Sequence, residues 1–128
     1  MHLFYMLASA VLVFTAFAHS VIGEMMIFRK VSGGKIIPVK SAPPLQGRNI
    51  RILWATWHIV SVFGLVFALV LFRIGRGEPI HASWLAGTIA IACLAAGFLV
   101  LVATRGRHPG WISLSLAAAL TLTALSAS

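Results

Sequence analysis

His19, Ser20 and Glu24 stand together in the stretch Ala18-His19-Ser20-Val21-Ile22-Gly23-Glu24, inside a long apolar segment. They supply an imidazole, a hydroxyl and one of the two carboxylate side chains in the chain. An ionisable side chain at membrane depth is costly, so it usually faces protein, water or a ligand. Three roles suit such groups. Neutral imidazoles on two helices, with a carboxylate, can ligate a divalent metal, and two facing histidines can hold haem axially. A glutamate in the first helix can exchange a proton for a cationic substrate. The same groups can also form an ion pair or hydrogen-bond network that only holds helices together.

The partners come from later segments. A helix rises about 1.5 Å per residue, so Glu24 lies roughly 7 Å and His19 roughly 15 Å from Arg29, where the first apolar segment ends. His58 lies roughly 10 Å inside Arg51 by the same arithmetic. His108 falls at the mouth of the last segment. His19, Glu24, His58 and His108 therefore converge on one half of the protein and form the candidate metal set. His19 and His58 are the candidate haem pair, and Glu24 with Arg51 is the candidate proton-coupling or ion pair. His19 and Glu24 are about 140° apart on a regular helix, so they share a face only if Gly23 distorts the turn. Met25 and Met26 read as packing rather than copper ligands. Cys93 sits in an apolar run and reads as a small hydrophobe.

Four apolar segments must position these groups, at about residues 3–28, 50–72, 80–104 and 110–127. The chain has 128 residues, 60% of them hydrophobic and 9% charged; soluble domains carry about 25% charged residues. Mean hydropathy is +1.01. The expected fold is all-α, a four-helix transmembrane antiparallel bundle forming one domain over residues 1–128. Ala16-Phe17-Ala18 resembles a signal-peptidase site, but the charge order (none before the apolar run, Arg29-Lys30 after it) favours a retained helix. The loop over 29–49 is broken by Gly33-Gly34 and Pro43-Pro44, with Lys35 to Val39 a candidate short strand. Glu78-Pro79 suits the start of the third helix, and His81 and Ser83 are candidate caps. In that helix, Ala82, Ala86 and Ala90, Ser83 and Gly87, and Cys93 and Gly97 recur at every fourth position, which permits close helix packing.

Net charge is +8. The basic residues sit at segment ends rather than on one continuous face, which points to headgroup anchoring and away from nucleic acid. Arg29, Lys30, Lys35, Lys40, Arg48, Arg51, Arg105 and Arg107 fall in the first and third loops, against Arg73 and Arg76 in the second. The positive-inside rule then makes loop 29–49 cytoplasmic and both termini periplasmic. Trp54, Trp57 and Trp111 read as interfacial anchors. The partners implied are the lipid bilayer and a second copy or a larger membrane complex.

Ala18-His19-Ser20 with Gly23-Glu24, followed by Trp57-His58 with Ser61 and Gly64, resembles a pattern in small, uncharacterised four-span proteins of the bacterial inner membrane. The resemblance covers most of the chain and implies no activity. No Ser-His-Asp arrangement, phosphate-binding glycine loop, pair of catalytic carboxylates or CxxC motif is present, so the sequence assigns no reaction. Its leading expectation is an intramembrane His/Glu site that binds metal or haem, for electron transfer or as an accessory subunit. The alternatives are a proton-coupled small transporter working as a dimer through Glu24, and a purely structural membrane subunit.

Overall fold

The computed structural model describes residues 2–127. It is all-helical, with four principal helices in chain order. Helix α1 spans His2–Val31, α2 Gly47–Gly75, α3 Ala82–Thr104 and α4 Gly110–Ser126. The first three are long and apolar enough to cross a membrane. Helix α4 has 17 residues, which makes it about 25 Å long, a little short of a hydrocarbon core of about 30 Å. Helix α1 packs against α2, α2 against α3, and α3 against α4; no comparable contact joins α1 to α4. The helices thus form an open row in which sequence neighbours are spatial neighbours.

Packing inside the row relies on small side chains. Ala55, Ala90, Ala96 and Ala118 are fully buried, whereas Phe14 is 75% exposed. Outward phenylalanines and inward alanines reverse the pattern of a water-soluble protein and suit close helix packing in lipid. The recurrent small residues of α3 face their own chain at Gly97, where an added Cβ would lie 3.2 Å from Ser115 Oγ and 3.4 Å from the Trp111 carbonyl oxygen. Gly97→Val is therefore expected to force α3 and α4 apart and destabilise the protein by about 1–3 kcal/mol, the usual range for overpacking. A reversible unfolding titration in mixed micelles reads this effect; unchanged stability would mean that the two helices do not meet at Gly97.

The loops depart from expectation in three places. Helix α1 runs on to Val31, and α2 begins at Gly47, so the first loop is shorter than expected. No strand forms over Lys35 to Val39; the described residues hold one isolated bridge, between Ala42 and Leu45. The loop is nevertheless anchored, because Pro38 is buried and Lys40 N–H donates to the Val31 carbonyl at 3.1 Å. Glu78 does not sit at the start of α3, which begins at Ala82. It bridges Arg73 and Arg76 at 2.9 Å each, because the tight turn through Gly77 (φ 72°) folds the carboxylate back over the end of α2. His81 is the N-cap residue of α3, but neither it nor Ser83 makes a side-chain cap.

The core closest to the loop-one end contains Phe28 from α1, Trp54 and Ala55 from α2, and Val100 and Ala103 from α3. Ile37 of the first loop packs against it. This apolar cluster supports the α1–α2 face that carries the polar residues.

Candidate functional site

Helix α1 is regular from His2 to Gly23 and then widens into one π-helical turn over Glu24–Phe28. Such turns are rare and recur at functional sites. The widening follows immediately on Gly23, which is buried against α2. An added Cβ there would overlap the indole of Trp57. The missing side chain lets that indole lie against α1, where its Nε1 donates to the main-chain carbonyl of His19 at 2.9 Å. The His19 ring stacks on the same indole, with centroids 4.3 Å apart and planes 6° from parallel.

One helical turn further along, α2 presents Trp54, His58 and Ser61 to α1. Trp54 Nε1 donates to Glu24 Oε2 at 2.9 Å. His58 Nε2 lies 3.7 Å from the same oxygen, too long for a direct hydrogen bond. On the other side of the ring, His58 Nδ1 is 2.9 Å from Ser20 Oγ. Ser20 Oγ in turn donates to Ser61 Oγ at 2.8 Å. With the Ser20 proton directed at Ser61, Nδ1 of His58 is the donor to Ser20. Nε2 then either carries a proton toward Glu24 or faces one carried by the carboxyl. His58, Ser20 and Ser61 thus form a hydrogen-bonded series bridging two helices, with Glu24 3.7 Å from its end at the His58 Nε2, which has no hydrogen-bond partner among the described residues.

The site is only partly dry. The side chains of His58 and Glu24 are 17% and 28% exposed. Both line an open cleft of about 680 Å³ with Arg29, Ser32, Lys35 and Trp54. Trp54 stands edge-on to His58, with centroids 4.7 Å apart, and Phe28 lies beside both His58 and Trp57. Aromatic faces therefore bound the pair on the protein side, while Arg29 and Lys35 leave the cleft's mouth positively charged.

Of the residues singled out from sequence, Glu24 and His58 are brought together. His19 also faces α2, but it is stacked on Trp57 rather than joined to Glu24 or His58, and its buried Nε2 has no hydrogen-bond partner among the described residues. The position in α1 that answers His58 is Ser20, four residues before Glu24 and so on the same helical face. Arg51 lines two other cavities, and within 4.0 Å no ion pair joins it to Glu24 among the described residues. His108 accepts a hydrogen bond from the Gly110 N–H at 3.0 Å and lines a cavity with Arg51, separate from the Glu24 cleft. Among the described residues no three of His, Cys, Asp and Glu are grouped as a metal site.

Trp54 and Trp57, read from the sequence as interfacial anchors, donate hydrogen bonds across the α1–α2 interface, to Glu24 and to the His19 carbonyl. Their signal in the sequence was the spacing of Trp54, Trp57, His58 and Ser61, the i, i+3, i+4, i+7 pattern of one helix face. Ser9 adds a further polar link, donating to the Ala68 carbonyl at 2.7 Å in the buried interface of α1 and α2. Compared with protein-family models, curated proteins and solved structures, the chain matches none of them.

Proposed function

We propose that this chain is a small membrane protein whose activity depends on a proton-binding pair, Glu24 and His58, and that it couples proton movement to transport of a small cation. The observation that supports this reading is the alignment of Glu24, in the open cleft, with the hydrogen-bonded series His58, Ser20 and Ser61, across a gap of 3.7 Å between Glu24 and His58. It sets a solvated carboxylate in line with hydroxyls deeper between two apolar helices, the arrangement expected of a proton relay. Two Trp indoles and the His19 carbonyl hold its geometry. In this reading the cleft opens to the cytoplasmic side of a bacterial inner membrane and both termini are periplasmic, which the surplus of basic residues in the first and third loops supports. The exposed Phe4, Phe14, Phe17, Phe67 and Phe98 face lipid or a second copy of the chain.

A second reading has one specific observation in its favour. The buried Nε2 of His19 is unpartnered, and together with His58 it offers two imidazoles to a divalent metal or haem. The Nε2 of His58 is likewise unpartnered among the described residues; what favours the proton reading is the engagement of Nδ1 with Ser20 and the nearness of Nε2 to Glu24, at 3.7 Å.

The test is made with the full chain in proteoliposomes holding a trapped pH indicator and a lumenal alkali cation. An imposed pH gradient should collapse faster than in empty vesicles, and only when a permeant cation is present. Gradient decay identical to that of empty vesicles with each monovalent and organic cation tried would remove the transport reading. A Soret band or stoichiometric bound metal in the purified protein would put the second reading in its place.

A further inference from the structure

A second cavity, of about 440 Å³, is lined by Arg48, Asn49, Arg51 and Ile52 of α2 and by Thr104, Arg107 and His108 at the end of α3 and the turn that follows. Three guanidinium groups face one space, and no carboxylate lines it. The acidic side chains of the chain are engaged elsewhere, Glu24 with His58 and Trp54, Glu78 with Arg73 and Arg76. Like charges held around a cavity repel one another, and among the described residues no carboxylate side chain lines the cavity to compensate them. Arg51 carries the clearest sign of a missing partner: its Nε is buried, and among the described residues it has no hydrogen-bond partner. Helix α2 starts at Gly47, so the positive end of its dipole adds to the same field.

We propose that this cavity binds a phosphate oxyanion, held by Arg48, Arg51 and Arg107 and bounded by His108 and Asn49. Guanidinium groups present paired N–H donors that match phosphate oxygens, and several converging on one cavity favour a phosphate over a monovalent halide. The cavity lies at the loop-one end of the helices, where either a phospholipid headgroup or a free phosphate can enter. It is separate from the Glu24 cleft, so the proposal stands whether or not proton coupling does.

The experiment uses the full chain in nanodiscs and has two arms. In the lipid arm, native mass spectrometry counts phosphatidylglycerol molecules retained from discs of mixed phosphatidylcholine and phosphatidylglycerol. In the free-anion arm, inorganic phosphate is titrated against the protein in pure phosphatidylcholine discs, with chloride at equal ionic strength as reference, and melting temperature is read. The variant is Arg48→Gln, Arg51→Gln, Arg107→Gln. The control, Lys30→Gln, Lys40→Gln, Arg105→Gln, removes the same charge from exposed positions outside the cavity. Retention or stabilisation that is lost in the variant and kept in the control is the expected result, and the arm that shows it identifies the source. If the triple variant does not fold, Arg107→Gln alone, on an exposed turn, should weaken binding about tenfold, as expected for loss of one charged contact. Equal loss in variant and control, or no binding in either arm, overturns the proposal.

Discussion

Exchanging Glu24 for Gln is expected to remove the protein's proton-binding signal while leaving its fold in place. The chain has two acidic side chains, Glu24 and Glu78, so the infrared carbonyl band of protonated side-chain carboxyls has two sources besides the C-terminus. Glu78 is clamped between Arg73 and Arg76. Glu24 accepts one indole N–H and faces one imidazole nitrogen. The amide of Gln is almost the same shape, and its oxygen can still accept from Trp54 Nε1. Stability should therefore change by no more than about 1 kcal/mol, the net value of a typical hydrogen bond. The titrating band assigned to the pair should vanish in Glu24→Gln and persist in Glu78→Gln, and proton-driven flux should fall to the level of empty vesicles. A band that titrates unchanged in Glu24→Gln would show that the proton resides elsewhere.

The largest structural effect is expected at Gly23. A methyl group there would occupy the space of the Trp57 indole, so Gly23→Ala must either part α1 from α2 or swing the indole away. Parting the helices is overpacking, at about 1–3 kcal/mol. Swinging the indole loses its hydrogen bond to the His19 carbonyl, about 1 kcal/mol, and the stack with His19, about 0.5–1.5 kcal/mol. Either route gives a loss of about 1–3 kcal/mol, read by unfolding in mixed micelles. The same substitution in a Trp57→Leu background should cost less than about 1 kcal/mol, since the opposing ring is gone. Equal costs in the two backgrounds would mean that Gly23 is not there to admit Trp57.

Much of the architecture was legible because hydropathy and charge mark helices and their ends. The depth of Glu24 and His58 could be counted from Arg29 and Arg51, and they do meet. Rotation about the helix axis was harder to read. Imidazole chemistry drew attention to His19, yet the face shared with Glu24 belongs to Ser20, four residues away rather than five. The π-helical turn after Gly23 has no signature in composition. Trp54 looked like an anchor because tryptophans cluster at interfaces; burial against α1 gives its N–H to Glu24 instead. Arg51 was matched to Glu24 because opposite charges at similar depth invite pairing, but its place on α2 directs it to the α3 side.

All groups of the polar cluster, from His19, Ser20, Gly23 and Glu24 to Trp54, Trp57, His58 and Ser61, belong to the first two helices. Because the helices stand in an open row, this hairpin acquires its complete set of polar links without any contribution from the second hairpin. Its contacts are of short sequence separation for a polytopic chain, which favours fast and early formation. During synthesis the hairpin can pair as soon as α2 has entered the bilayer, while α3 and α4 are still being made. Ribosome-bound chains halted once α2 has left the ribosome and entered the bilayer, before α4 has followed, should already protect the Trp57 indole from quenchers, whereas chains carrying Gly23→Val should not.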